Sequence, residues 1–187
     1  SIKRKIEGKG LFISQGFIAS DKKSFTTTLG REGSDYSAAI FAHALNAESV
    51  TIWKDVRGVL NADPRYFNKT KLLKKISYEE AIELAFYGAS VIHPKTLQPL
   101  KKKKIPLYVK SLLTPSKAGT LISKQDLKIK NIPSHIVKWN RVLLKISSKD
   151  FSFIVEKKIS LIFSMLSMYK IKVELIQNSA ISFSVVL

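Results

Sequence analysis

The sequence predicts an α/β protein, with a largely parallel sheet carrying helices on both faces, followed by a smaller unit of α+β type in βαββ order. Three observations predict it. Short runs rich in β-branched and aromatic residues (Gly16–Ala19, Phe25–Leu29, Val50–Trp53, Ile105–Val109) alternate with segments whose apolar residues recur at helical spacing. Those helical segments present Ala38, Phe41, Ala42 and Leu45 in one case, and Ala81, Leu84 and Ala85 in the other. Beyond a linker-like stretch from Asp126 to Pro133 the pattern changes to strand, helix, strand, strand. The expected domains are residues 1–127, and 128–187 with the linker included.

Each element has a local reason. Gly16 starts a strand that Asp21-Lys22-Lys23-Ser24 turns back into Phe25–Leu29, a hairpin. Gly30 and Gly33 flank Arg31 in a loop, and Ser34 or Asp35 is placed to cap the helix that follows and ends near Asn46. Val50–Trp53 is short and apolar, as a buried strand is. Asp63-Pro64 marks a turn; Ser77 and Glu80 stand at capping-box spacing, and Gly88 ends that helix. His93-Pro94 starts another helix, which Gln98 and Pro99 are expected to interrupt, and Lys101 to Lys104 reads as a solvated loop before Ile105. In the last unit the strands are expected at Val142–Ile146, Ile171–Ile176 and Ile181–Leu187, with a helix from about Phe153 to Tyr169.

Composition narrows the function classes. With 187 residues, 45% of them hydrophobic, the chain has material for one large or two small cores. It has no cysteine, which excludes disulfides and thiolate metal sites and is in keeping with a reducing compartment, the cytoplasm. No stretch reaches membrane-spanning length, so no membrane partner is expected. The formal charge of +18 raises nucleic acid as a partner. Against this, the lysines are scattered in twos and threes and the aromatic residues sit at apolar-periodic positions, giving no stacking platform for bases. No nucleic-acid partner is expected.

The stretch Phe25-Thr26-Thr27-Thr28-Leu29-Gly30-Arg31-Glu32-Gly33-Ser34-Asp35-Tyr36-Ser37-Ala38-Ala39 reads physically as a strand, a glycine-spaced loop and a helix start. That combination makes an anion cradle: close backbone approach at the glycines, free N–H groups at the helix N-terminus, and one guanidinium fork. It lacks the Gly-Lys-Ser/Thr ending of a P-loop. The block resembles the aspartokinase signature Thr-Thr-Leu-Gly-Arg-x-Gly-Ser-Asp-Tyr. Three further segments agree in order and spacing: Val50-Thr51-Ile52-Trp53-Lys54-Asp55 through Asp63-Pro64-Arg65, Ile76-Ser77-Tyr78-Glu79-Glu80 through Gly88-Ala89-Ser90-Val91-Ile92-His93-Pro94, and Ile105-Pro106-Leu107-Tyr108-Val109-Lys110.

The resemblance implies an amino acid kinase-like catalytic domain that passes the γ-phosphoryl group of ATP to the side-chain carboxylate of L-aspartate, with Mg²⁺ held mainly by the phosphates. It implies that Arg31 grips the substrate carboxylate, that Gly33 and Ser34 offer backbone and hydroxyl donors, and that Asp35 stands at the reacting end. It assigns Lys54, Asp55, Arg65 and Val91 to the nucleotide, with Lys54 contacting it through backbone. No transition-metal site is implied. Departures from the pattern are Lys54 in place of Thr, Leu60 in place of Tyr, Ser90 in place of Lys, and Glu32 in place of Gly.

The segment after about Ile132 is similar to the start of an ACT regulatory domain, with Gln177-Asn178-Ser179 at the loop that begins the effector edge. This implies a homodimer through the ACT region and lysine or threonine as effector. Because the Lys-x-Gly-Gly opening of the family and the last helix and strand of the ACT unit have no match, the resemblance also implies an internal fragment that is inactive by itself. The alternative reading is a non-catalytic regulatory subunit that binds an amino acid.

Overall fold

A computed structural model describes residues 6, 10–88, 91–124, 132–148 and 156–187, and divides the chain into two compact units, Ser1–Val137 and Lys138–Leu187. The first unit opens with an antiparallel hairpin, β1 (Ile18–Ser20) with β2 (Thr26–Thr28), forming a two-stranded sheet of its own. The Asp21 carboxylate closes its turn by accepting the N–H groups of Lys23 and Phe25 at 2.8 and 2.9 Å. Helix α1 (Gly33–Leu45) follows, then β3 (Val50–Lys54), β4 (Lys75–Ser77), α2 (Tyr78–Tyr87), α3 (Pro94–Lys103), β5 (Leu107–Ser111) and β6 (Thr120–Ser123).

The main sheet has the order β3-β5-β6-β4. β3 with β5 and β4 with β6 are parallel, while β5 with β6 is antiparallel, so the sheet is mixed and mostly parallel. Strands β4 and β6 are absent from the periodicity because they are three and four residues long, too short to show alternation. Val50, Ile52, Ile76, Leu107, Val109 and Ile122 form one buried cluster with Ala39, Ala42, Ala81, Leu97 and Leu100 of the helices. Intervening residues of the same strands, Trp53 and Tyr108 among them, are more exposed, so among the described residues the helices share one face of the sheet rather than both.

Helix ends explain several local outcomes. At α2 the capping box forms as expected: Ser77 Oγ accepts Glu80 N–H at 2.9 Å and Glu80 Oε2 accepts Ser77 N–H at 2.7 Å. Helix α3 runs through Pro99 to Lys103 instead of stopping there, and Lys101, Lys102 and Lys103 form its last turn, where cations complement the helix dipole. Lys101 pairs with Glu79 at 2.7 Å, and Lys103 donates to His43 O and Asn46 Oδ1 at the end of α1. The lysine run is therefore a helix terminus tied to two neighbours, not a loop. His93 Nδ1 accepts Lys95 N–H at the start of α3, a capping role.

The second unit is a three-stranded antiparallel sheet, β7 (Leu143–Ser147), β9 (Ser182–Val186) and β8 (Leu175–Asn178) in that order, with α4 (Glu156–Met168). The βαββ order matches the expectation, but β8 starts at Leu175 rather than Ile171, because Lys170 at φ 54° ends the helix in a left-handed residue and the chain meets β9 only where Glu174 N–H donates to Val186 O at 2.8 Å. The expected helix start near Phe153, the linker residues 126–131 and Ser90 lie outside the described residues.

Two positions give sharp tests of the fold. Gly119 has φ +72°, and a Cβ there would lie 2.1 Å from Val109 O, so Gly119→Ala is expected to cost on the order of 2 kcal/mol or more in denaturant unfolding. The buried Tyr78 hydroxyl donates to Ile105 O at 2.5 Å, and Tyr78→Phe is expected to cost about 1 kcal/mol. Burial pushes the Tyr78 phenol up, so the folded state holds this proton more tightly than the unfolded one. That contribution is complete below the ordinary phenol range and is lost as pH rises through the folded value; the Tyr78→Phe chain should lack this alkaline loss.

Candidate functional site

The candidate site forms where α1 begins beside the C-terminal end of β3. Ser37 anchors the arrangement: its hydroxyl donates to Gly33 O at 2.9 Å and accepts the N–H of Phe17 at 2.9 Å, joining helix to hairpin. Gly33 is required by packing, since a Cβ there would stand 2.8 Å from the Phe17 ring and 3.1 Å from Leu29 Cβ. Its close approach is thus to the hairpin, while Gly30, at φ +77° with open space around it, supplies the turn. Gly33 N–H closes that turn on Gly30 O at 3.0 Å.

The helix starts at Gly33 with Glu32 in the capping position, in left-handed conformation and without a side-chain cap. Neither Ser34 nor Asp35 caps it; both lie in the first turn, whose N–H groups lack intrahelical acceptors. Ser34 is exposed. Arg31 is exposed beside this turn and forms no ion pair among the described residues. The loop therefore offers an unengaged guanidinium next to a helix N-terminus, the chemistry of a carboxylate or phosphate site.

Across from the loop stands Lys54, the last residue of β3. Its side chain, 22% exposed, points to the helix start: Nζ lies 2.8 Å from Asp35 Oδ2 and 4.0 Å from Glu32 Oε2. Both oxygens are buried and have no hydrogen-bonding partner beside this charge contact. The Lys54 side chain thus lies against the start of α1. Asp55 follows it, exposed, at the strand end where α/β sheets place ligands.

The remaining expected residues are not gathered around this pair by side-chain contact. Arg65 folds back on its own turn, with Nη2 2.6 Å from Asp63 Oδ2, Nε 3.1 Å from both Asp63 oxygens and its N–H donating to Asp63 Oδ1. Val91 is half-buried and packs against the main core. Leu60 bridges to Leu72. An apolar groove of about 660 Å³ lined by Leu72, Leu73, Ile76, Leu84 and Ile132 contains none of the expected site residues.

Sequence reasoning missed the joint placement of Glu32, Asp35 and Lys54. Its signal was present in the chain, since a lysine at a strand end directly before an aspartate and a glutamate inside a glycine loop are both charges placed at the expected site. Among the described residues no group of three or more His, Asp or Glu could hold a metal ion. A Mg²⁺ ion, which accepts one or two carboxylates together with phosphates, fits such a donor set only as an ion carried by the nucleotide.

Comparison with known proteins defines the class: residues 2–111 match the amino acid kinase family, and the chain belongs to that family. Its relatives include aspartokinases. It is 39% identical over 183 residues to the lysine-sensitive aspartokinase 3 of Escherichia coli, a match covering 96% of this chain and 40% of that protein. It is also 39% identical over 175 residues to the bifunctional aspartokinase/homoserine dehydrogenase of Buchnera aphidicola, covering 94% of this chain and 21% of that one. The crystal structure of E. coli aspartokinase III with lysine and aspartate superposes with a TM-score of 0.74 at 38% identity, over 92% of this chain and 39% of that chain. The Clostridium acetobutylicum aspartate kinase gives a TM-score of 0.77 at 30% identity, over 92% and 40%. The chain thus spans about two fifths or less of the length of these relatives.

The Arg65 fork holds the Asp63 carboxyl below the usual aspartate range, the side-chain hydrogen bond being the main cause. Carbon-13 titration should show this lowered midpoint, and Arg65→Ala should return it to normal. With a depressed folded value, the pair's small contribution is present above the ordinary aspartate range and lost as pH falls through the folded value.

Proposed function

We propose that this chain forms part of an aspartate kinase. The reaction is attack by a side-chain carboxylate oxygen of L-aspartate on the γ-phosphorus of ATP. The new bond is O–P, the bond from that phosphorus to the β,γ-bridging oxygen breaks, and ADP leaves with the electron pair. The product, 4-phospho-L-aspartate, is the first intermediate toward lysine, threonine and methionine. The observation that carries this reading is the Asp35–Lys54 pair at the C-terminal end of a parallel strand, with Arg31 exposed in the loop before α1 and without an ion pair among the described residues.

In this reading Arg31 clamps a carboxylate of aspartate, the amides after Gly33 and the Ser34 hydroxyl donate to it, and Asp35 stands at the reacting end. Positioning and charge neutralisation supply most of phosphoryl-transfer catalysis, and these groups do both. Lys54 and Asp55 border the nucleotide at the strand end, Arg65 meets phosphate after leaving Asp63, and Val91 contributes backbone. Mg²⁺ would arrive with ATP and offset phosphate charge. Support comes from relatives: E. coli aspartokinase III is known in complex with aspartate and ADP, with a TM-score of 0.73 to this chain.

The second unit, from about residue 128 with its linker, is read as the beginning of an ACT regulatory domain that pairs with a second copy and takes lysine or threonine as effector. The lysine complex of the E. coli relative favours lysine. A cysteine-free chain that uses ATP fits the cytoplasm. Among the described residues no helix is long and apolar enough to cross a membrane.

The test is a coupled assay of aspartate-dependent ATP turnover, run on this chain and on the longest reading frame that contains it. Turnover is expected in the longer protein, and Arg31→Ala should lower kcat/KM for aspartate by about 100-fold. Turnover that ignores aspartate, or an Arg31→Ala protein as active as the parent, would overturn the reading.

A further inference from the structure

We propose that Lys54 is a positioning residue that neutralises Asp35 and Glu32 together and presents the site's cation to the terminal phosphate of the nucleotide; this rests on the kinase reading above. Asp35 and Glu32 place two carboxylates within 4.0 Å of one nitrogen, each through a buried oxygen that has no hydrogen-bonding partner. Both substrates of the proposed reaction are anions. Two uncompensated carboxylates would repel them and would repel each other. Lys54 alone among the described residues forms ion pairs with these two groups.

Location adds the second part. Lys54 ends β3, which runs parallel to β5 with Lys54 opposite Ser111, so the ammonium stands at the carboxyl edge of the sheet, where ligands of α/β proteins bind. Leu112 N–H donates to Lys54 O at 2.8 Å, holding the backbone of this residue while its side chain spans to α1.

The arrangement predicts coupling between positions 32 and 54. With Glu32 intact the ammonium is shared; with Glu32→Gln it is released toward an incoming phosphate. Binding of ADP to the full chain, measured by titration calorimetry, is the test, with tripolyphosphate as a probe of the phosphate part alone. Lys54→Met should weaken both ligands about tenfold, Lys54→Arg should recover to within about threefold of the parent, and Glu32→Gln should tighten both about threefold. The Glu32→Gln gain should vanish when Lys54→Met is also present.

The proposal is overturned if Lys54→Met binds ADP as the parent does, or if the effect of Glu32→Gln is equal with and without Lys54. Because Lys54→Met strands two carboxylates and could fold poorly, Glu32→Gln and Lys54→Arg, which strand none, decide the matter by themselves. If the longest reading frame that contains this chain binds no ADP and shows no aspartate-dependent turnover, the kinase reading falls and this proposal with it. ADP binding that is indifferent to Lys54 would remove this proposal alone.

Discussion

The parallel pairing of β3 with β5, from Val50 opposite Leu107 to Lys54 opposite Ser111, is the constraint on which the candidate site depends. Parallel strands need a long crossover between them, and here the crossover carries α2 and α3 and the short strand β4. The pairing buries Val50, Ile52, Leu107 and Val109 on one side and brings the carboxyl ends of two strands into line. Helix α1 precedes β3 and packs on it, so its N-terminus arrives at that same edge. The Lys54–Asp35 contact then follows from chain geometry: a strand that ends where a helix begins places its last side chain against the first turn.

A second theme is how the excess of positive charge is used. Many lysines are not idle solubilising charge. Lys103 ties the end of α3 to the end of α1, Lys101 ties α3 to Glu79 of α2, and Lys110 lies 5.6 Å from the centre of the Trp53 ring on the neighbouring strand. In the second unit, Glu174 takes Lys138 at 2.7 Å and Arg141 at 3.0 Å, with Lys172 at 3.7 Å, and Lys138 first, then Arg141, hold its carboxyl below the usual range. Exposed pairs of this kind contribute little energy each, and their effect is chiefly to fix orientation at element ends.

The two units differ in how well they enclose apolar surface. The first has a contiguous core centred on Leu97, Leu100, Leu107, Val109 and Ile122, all fully buried. In the second, β9 buries Phe183 and Val185, while Leu143, Leu175, Ile176, Leu161 and Met168 remain exposed. A unit of 50 residues has a high surface-to-volume ratio, and a three-stranded sheet with one described helix covers only part of what it presents.

Sequence by itself determined the α/β class, the helix over 33–45, the capping box at Ser77 and Glu80, the βαββ order of the second unit and the family, because periodicity, caps and glycine placement are local and written in consecutive residues. It also marked Arg31 and Gly33 as an expected anion cradle. Tertiary structure alone decided what lies between segments: that β5 and β6 are antiparallel, that α3 continues through Pro99 with Leu97 and Leu100 buried in the core, and that the Gly33 approach is to Phe17. It decided too that the Lys54 side chain reaches Asp35 and Glu32 while Arg65 is held by Asp63. Apart from Arg65 with Asp63, such pairings join residues 11 or more positions apart. Only the packed sheet sets those distances.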